Sequence, residues 1–274
     1  MLCITINLDR EADRRAALTA NFARFAGAGW RLERCQAIEA AEAAALRPDS
    51  QLRPAETACF LSHMKALEMA LAVAGPVMIC EDDITFGPRS ATLITMALTA
   101  IGSGDWHILF PEIGVGDPPV MLKLFELYRQ KMAAATTVLL DLKFIGEYFF
   151  SSAAYIVAGG FKQRLLELLR QAPMDLQYDL VLRRLILGQA LRCQVIFPFV
   201  TSISPAADSS QIQPGRYGAL NLVLNEVRRL LWIDRPPDAA RADLAALAAA
   251  MGDADTAHFT RALEIILSLG FTVR

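Results

Sequence analysis

Short apolar runs alternate with segments of helical period through the first half of the chain, and this alternation limits the fold more than any other feature. Residues 2–8 and 77–80 are apolar runs of strand length, whereas residues 10–25 and 53–74 space their apolar side chains as helices do. Strands that alternate with helices form a sheet with helices packed on its faces. We therefore predict an α/β fold.

The helix predicted at residues 53–74 has the clearest pattern. Pro54 suits the first helical turn, and the carboxylate of Glu56 complements the helix dipole there. His63 falls about 60° from the apolar stripe of this helix, so we expect it at the edge of the core. The stripe consists of Phe60, Met64, Leu67 and Leu71.

The same spacing arguments extend to the later elements. Helices are predicted at residues 89–101, 121–131 and 161–171 and from Pro173 to about Leu187. Strands are predicted at residues 107–110, 153–157 and 193–197. Loops are predicted at 111–119 and 204–216, and the pattern after residue 131 is ambiguous. From residue 217 the chain is helical with a break at 235–237, so we predict a domain at 1–216 and a small helical appendage at 217–274.

The composition excludes some classes of function. Of the 274 residues, 54% are hydrophobic and 20% are charged, which favours a large core and argues against disorder. The formal net charge of −2 provides no general attraction to nucleic acid or to anionic lipid. Any affinity for phosphate must therefore come from a few arginines or from a bound cation.

The cysteines and the apolar runs indicate where in the cell the protein is expected. The five cysteines are scattered and form no CxxC pair, so they predict neither a disulfide framework nor a zinc site. Cys3, Cys80 and Cys193 lie in apolar runs and are expected to be buried. The first residues lack the basic start and the apolar length of a signal peptide, and no apolar run reaches the roughly 18–20 residues of a membrane span. We expect a cytoplasmic protein, and a peripheral membrane contact stays open.

Three acids follow the strand at residues 77–80. Ligands of open α/β sheets bind beyond the carboxyl ends of the strands, and adjacent carboxylates repel one another unless a cation neutralises them. If the backbone stays extended, Glu81 and Asp83 point to the same side and would form the natural ligand pair, with Asp82 between them. A solvated acidic turn is the alternative, and the residues alone leave both interpretations open.

Two arginines follow the first strand. Arg10 and Arg14 are four residues apart, so on a helix they share a face and could hold a diphosphate or a base edge. The alternative is a solvated first turn in which Glu11 and Asp13 are their partners.

Three sequence blocks together resemble glycosyltransferase family 25, which includes bacterial lipooligosaccharide galactosyltransferases. The family pattern is approximately I-N-L-x-R-x-x-D-R, then G-C-x-x-S-H-x-x-A-L-E, then an apolar strand that ends in L-E-D-D. The corresponding blocks here begin at Ile6, Ala58 and Cys80, and they occur in the same order. Ala58 stands where the family has glycine, and Cys80 stands where it has leucine. The resemblance covers about residues 2–210.

This resemblance implies a GT-A-like nucleotide-binding domain with a mixed central sheet flanked by helices. It implies an inverting, metal-dependent transfer of a hexose, with galactose expected, from a UDP-sugar to a hydroxyl of a lipopolysaccharide, lipooligosaccharide or related lipid-linked glycan. Mn²⁺ (or Mg²⁺) would be held by Asp83 and Glu81. The substrate-binding residues would be Asn7, Leu8, Arg10, Arg14, Ser62, His63, Glu81 and Asp82.

The transfer also requires a general base for the acceptor hydroxyl. Asp175, which matches an aspartate of the family, and Asp179, one helical turn later, are the candidates, although both could simply cap or begin a helix. Glu112 follows a predicted strand and could line the acceptor cleft. Arg228 and Arg229 are expected on a solvated helix face, with contact to a membrane surface as the alternative.

Two other functions stay open at this stage. One is a catalytically silent, family-like module that binds a nucleotide-sugar, a glycan or a protein partner. The other is a metal-dependent phosphohydrolase, which normally requires a nucleophilic aspartate or a cluster of histidines. The three histidines of this chain are widely separated in sequence, which argues against that class.

Overall fold

A computed structural model describes residues 1–102, 104–209, 218–235, 237–250 and 261. The strands are β1 Leu2–Asn7, β2 Arg31–Gln36, β3 Val77–Glu81, β4 Ile84–Phe86, β5 Ile108–Phe110, β6 Gly114–Val115, β7 Val138–Asp141, β8 Phe149–Phe150, β9 Ala154–Val157, β10 Cys193–Phe197 and β11 Thr201–Ile203. The helices are α1 Ala12–Phe25, α2 Ala40–Leu46, α3 Pro54–Ala70, α4 Ser90–Ile101, α5 Pro118–Ala134, α6 Lys162–Gln171, α7 Tyr178–Leu187, α8 Gly218–Leu230 and α9 Pro237–Ala250.

Seven strands form a central sheet in the order β2-β1-β3-β9-β5-β10-β7. The strands β2, β1 and β3 are parallel, as are β5 and β10, whereas β9 and β7 run antiparallel to their neighbours. Helices pack on both faces, so the predicted α/β class with a mixed central sheet flanked by helices is confirmed. The β1–β3 register pairs Ile6 with Glu81, which brings the ends of these two strands to one edge.

Alternate side chains of β1 enter different cores. Ile4 and Ile6 belong to the larger core, together with apolar residues of α3, α6, α7 and α8. Cys3 belongs to the second core, which α1 and α4 cover. Cys3, Cys80 and Cys193 are all buried, as predicted.

The helix α3 ends earlier than predicted and is buried more widely. It ends at Ala70, and Leu71 is 40% exposed, so the assignment of Leu71 to the apolar stripe was wrong. His63 is completely buried and does not lie at the edge of the core. The reason is that α3 contacts both the sheet and the helices α2, α6 and α7, which widens its buried face.

Several short elements were not predicted. The edge strand β2 buries only Cys35 completely, so its sequence has almost no apolar signal. The predicted loop at 111–119 contains β6, which pairs with β8. The helix predicted from Pro173 begins only at Tyr178, with Gln177 at its N-cap, so the expectation that Asp175 caps it was wrong.

The C-terminal segment is helical where the structure describes it, with the predicted break before α9. Val223, Val227 and Leu230 of α8 belong to the larger core. Arg228 and Arg229 are each 6% exposed, so the prediction of a solvated helix face was wrong. The boundary at 216/217 stays a prediction, and residues 210–217, 251–260 and 262–274 lie outside the described residues. Among the described helices, none combines the length and the apolar character that crossing a bilayer requires.

Candidate active site

A pocket at the carboxyl ends of β1 and β3 collects every substrate-binding and metal-binding residue that the sequence predicted. Its walls come from the β1–α1 connection, from α3 and from the acids after β3, because the ends of adjacent parallel strands meet at one edge. We call this the first pocket. The predicted residues that line it are Asn7, Leu8, Arg10, Arg14, Ser62, His63, Glu81, Asp82 and Asp83.

The three acids do not continue the strand. β3 ends at Glu81, and the chain turns at Asp82 and Asp83 before β4, so the condition of an extended backbone, on which the pairing of Glu81 with Asp83 depended, is not met. Arg14 bridges the turn, with Nη2 2.7 Å from Asp82 Oδ1 and 2.9 Å from Asp83 Oδ2. Glu81 instead faces His63, whose Nε2 is 3.4 Å from Glu81 Oε1. The turn thus separates Glu81 from the two acids that Arg14 holds.

Asn7 fixes the position of Asp82. Its Nδ2 donates to Asp82 Oδ2 at 2.7 Å and to the carbonyl of Glu11 at 3.0 Å. Its Oδ1 accepts from Arg34 Nε at 3.1 Å. Arg34, on β2, was not predicted because its strand was not. Asn7 therefore joins the ends of three neighbouring strands.

Burial and mutual repulsion perturb the carboxyls of this turn. Burial and the charge of Glu81 raise the pKa of Asp83 to about 7, because the opposing effect of Arg14 offsets only part of the increase. Burial also raises the pKa of Asp82. Burial would raise the pKa of Glu81 too, but the hydrogen bond and charge of His63 hold it below its ordinary value. Asp83 Oδ1 is buried and has no hydrogen-bond partner among the described residues, which fits an oxygen available to a cation.

His63 and Ser62 have different surroundings. His63 Nδ1 is 3.2 Å from the Tyr155 hydroxyl, and its ring stacks on Tyr178 with centroids 4.2 Å apart. The Ser62 hydroxyl donates to the carbonyl of Ala58 at 2.6 Å and accepts from the Ile38 amide at 2.8 Å. Ser62 thus links α3, which forms one wall of the pocket, to the segment after β2 by a hydrogen bond.

Arg10 does not share a helix face with Arg14. α1 begins at Ala12, so Arg10 precedes the helix and the prediction of a common face was wrong. Arg10 forms an ion pair with Glu39 across the rim of the pocket, and its side chain is half exposed. Its guanidinium is therefore within reach of a ligand that enters the pocket.

A second pocket adjoins the first on the other side of the acids. Cys59, Glu81 and Asp83 line both. The remaining wall of the second pocket comes from the β8–β9 connection, the start of α7 and one face of α8. A ligand in either pocket would therefore reach the same carboxylates.

Asp179 belongs to the second pocket and Asp175 to neither pocket. Asp179 lines the cavity and accepts hydrogen bonds from the amides of Ser151 at 3.0 Å and of Leu180 at 2.9 Å. Burial raises the pKa of Asp179. The carboxylate of Asp175 is 3.2 Å from Arg184 Nη1. Of the two candidates for the base, the structure brings only Asp179 to the pockets.

Arg228 is a pocket residue that the sequence analysis assigned to another role. It lines the second pocket, and Nη2 is 2.6 Å and Nε 3.0 Å from Glu112 Oε2. It also donates to Ser151 Oγ at 2.8 Å. Glu112 was expected to line a cleft, but it is 1% exposed and does not line the second pocket. Its carboxylate instead accepts the hydrogen bonds of Arg228. These partners are 116 residues apart, so no local pattern could have paired them.

A comparison with models of protein families gives a match. The model of glycosyltransferase family 25, described as LPS biosynthesis protein, matches residues 2–182, which is more than half of the chain. A comparison with proteins of curated function finds no significant match.

Among solved structures, the chain is similar to the galactosyltransferase LgtC in complex with donor and acceptor sugar analogues. The identity is 16% over 71% of this chain and 73% of that one, with a TM-score of 0.35. An active-site mutant of LgtC aligns at 17% identity over 71% of each chain, also with a TM-score of 0.35. These scores are too low to support a conclusion about substrate. The motifs and the family model agree, and the chain belongs to glycosyltransferase family 25.

Proposed function

We propose that this chain transfers a hexose, galactose being the first candidate, from a UDP-sugar to a hydroxyl of a lipopolysaccharide, lipooligosaccharide or related lipid-linked glycan, with inversion. The observation that carries the proposal is the pair of pockets that share Glu81 and Asp83. A transferase must hold two substrates against one reacting centre. We assign the donor to the first pocket and the acceptor to the second.

The donor assignment is based on the charges of the first pocket. Arg10 at the rim and Arg14 beside the acids offer guanidinium groups suited to a diphosphate. Asn7 and Arg14 hold Asp82 in place, so the turn is preorganised before the donor arrives. This arrangement is the GT-A-like site that family membership implies.

In this proposal Mn²⁺ (or Mg²⁺) is held by Asp83, with Glu81, which lines the same two pockets on the other side of the turn, as the second ligand. The unpartnered Asp83 Oδ1 supplies a hard oxygen ligand, and the pKa of Asp83, which burial and then the charge of Glu81 raise, would fall again beside a cation. When bound, the cation would stabilise the negative charge of the departing diphosphate.

Asp179 is the base in this proposal. Its carboxylate takes the proton of the acceptor hydroxyl as the acceptor oxygen bonds to the anomeric carbon and the bond to the diphosphate breaks. A pKa raised by burial suits that task, because a base is most effective when its pKa approaches the working pH. Asp175 would serve only if the Arg184 pair opened, which makes it the natural comparison variant.

One observation favours the alternative of a silent binding module. Arg14 already bridges Asp82 and Asp83, so a cation is not required to neutralise these two acids. Both functions share the first pocket but differ at the second. A cytoplasmic location, peripheral to the inner membrane, is part of the proposal because the acceptor would be lipid-linked.

Calorimetry with UDP in the presence and absence of Mn²⁺ tests the donor site. We expect Mn²⁺-dependent binding to the wild type and none to Asp83→Ala. Asp9→Ala is the matched control, because Asp9 also follows a strand of the sheet but bonds to Arg34 and Gln36 and lines neither pocket. Absence of UDP binding to the wild type would overturn the proposal. Binding without hydrolysis or transfer of any UDP-sugar would support the silent module.

A further inference from the structure

Three side chains of different chemistry meet at the wall between the two pockets. Cys59 and His63 lie four residues apart on α3 and therefore face the same way, and Glu81 ends the neighbouring strand β3. Their ligand atoms all lie within 4.8 Å of one another. We propose that Cys59, His63 and Glu81 bind Zn²⁺ or a similar borderline-soft cation, at a site that shares only Glu81 with the Mn²⁺ site proposed at Asp83. The cysteine pattern alone predicted no zinc site because spacing along the chain could not show that Glu81 joins this pair.

The spacing of the ligand atoms suits a small cation. A tetrahedral ion with bonds of about 2.1 Å holds its nitrogen and oxygen ligands about 3.4 Å apart. His63 Nε2 and Glu81 Oε1 are 3.4 Å apart. Ser152 Oγ is 3.4 Å from that nitrogen and 3.3 Å from that oxygen, so its hydroxyl or a water can complete the set. Cys59 Sγ lies within 4.8 Å of both atoms.

The surroundings of His63 resemble those of histidines that bind metals. Such histidines use one ring nitrogen for the ion, while the other is hydrogen-bonded and fixes the ring. Here Nδ1 is 3.2 Å from the Tyr155 hydroxyl, which is 2.8 Å from that of Tyr178. With an ion bound, Nδ1–H donates to Tyr155 and Tyr155 donates to Tyr178, while the Nε2 proton that otherwise faces Glu81 leaves to solvent and frees the Nε2 lone pair for the ion. The stacking of Tyr178 on His63 prevents the ring from rotating away.

The electric field and the access route also favour a cation. The carboxylates of Glu81, Asp179 and Asp83 line the same pocket as Cys59, and their charges favour a cation at this position. A bound ion reverses that field, and the thiol proton leaves to solvent as the sulfur ligates. Cys59 lines both pockets, so an ion can enter from either. Thiolate and imidazole ligands select Zn²⁺ over Mn²⁺.

Cobalt absorption identifies the ligands without any assay of activity. Co²⁺ takes the geometry of zinc sites, and a thiolate ligand adds a charge-transfer band in the near ultraviolet. We expect this band in the wild type, its loss in Cys59→Ser, and its retention in Asp83→Asn and in Cys35→Ser, whose thiol is buried on β2 away from both pockets. Absence of the band in the wild type, or its survival in Cys59→Ser, would overturn the proposal.

A second measurement on the wild type alone covers the case in which Cys59→Ser does not fold. Alkylation by iodoacetamide, followed residue by residue with mass spectrometry, should slow at least tenfold at Cys59 when Zn²⁺ is added. An unchanged rate at Cys59 contradicts the site. Neither experiment requires UDP binding, so failure here is distinct from failure of the proposed transferase function.

Discussion

The two pockets share one set of acids but are built in opposite ways. The first pocket takes its residues from the ends of adjacent strands and from α3, all within the first part of the chain. The second takes its wall from the β8–β9 connection, α7 and α8, which are distant in sequence. The first lies within residues 2–182 that the family model matches, whereas α8 lies beyond them. The second pocket thus combines residues inside the matched segment, such as Ser151 and Asp179, with residues of α8 that lie beyond it.

The two pockets also differ in the contacts that hold their polar side chains in place. In the first pocket Asn7, Arg14 and Asp82 are held by short contacts between neighbouring strand ends. In the second, Arg228 is held by Glu112 in an almost fully buried ion pair. Both sets of contacts join residues far apart in sequence, but those of the first pocket follow from the pairing of adjacent strands, whereas those of the second depend on how α8 packs. The predictions below separate these two cases.

The largest expected effect is on catalysis in the second pocket. We predict that Asp179→Asn lowers kcat by about 10²–10⁴-fold, because the neutral amide cannot take the acceptor proton. UDP binding measured by calorimetry should be unchanged. Asp175→Asn is the control and should retain its rate, since it lines neither pocket. An equal loss in Asp175→Asn would contradict the assignment.

The next effect is on stability. Arg228→Met should lower the free energy of unfolding by about 3 kcal/mol, because it leaves the carboxylate of Glu112 buried without its partner. The double variant Glu112→Leu with Arg228→Met should recover most of the loss in urea denaturation. Arg164→Met, which breaks an exposed pair with Glu167, should leave the unfolding midpoint unchanged. A double variant as unstable as the single one would show that the pair is not the cause.

A smaller effect concerns pH. The pKa of Asp83 is about 7 in the folded chain against 3.8 for an ordinary aspartate, so between these values only the folded chain retains the proton. The free energy of unfolding in EDTA should therefore fall as the pH rises from about 4 to 7, by at most about 1.4 kcal/mol per pH unit. The shift of Glu81 has the opposite sign but acts only below its ordinary pKa of 4.5. Urea denaturation at pH 5–8 measures the slope, which Asp83→Asn should reduce but not abolish, because the raised pKa values of Asp82 and Asp179 contribute with the same sign.

The smallest effect is at the rim of the first pocket. Arg10→Ala should raise the KM for the donor about tenfold if its guanidinium contacts the diphosphate, since such a bond contributes about 1.5 kcal/mol or more. Stability should barely change, because the side chain is half exposed. Arg31→Ala, which removes an exposed arginine paired with Glu33, is the matched control. Equal KM values in both variants would place Arg10 outside the donor site.

Sequence patterns predicted the residues of the first pocket but not their contacts. The motifs located Asn7, Arg14 and the acids, and the parallel strands brought them together as expected. The same patterns placed Glu81 and Asp83 on one side of an extended strand, whereas the chain turns after Glu81. They also left His63 at a core edge, because a helical stripe does not show how many neighbours will pack around the helix.

Taken alone, the sequence determined the α/β class, the strands and helices with strong periodicity, the family and the acids after β3. These features depend on residues close together in the chain. Only the tertiary structure decided that α8 closes the second pocket, that Glu112 pairs with Arg228 and that Glu81 joins Cys59 and His63. Burial and charge pairing act between side chains that are near in space, and chain spacing carries almost no information about them.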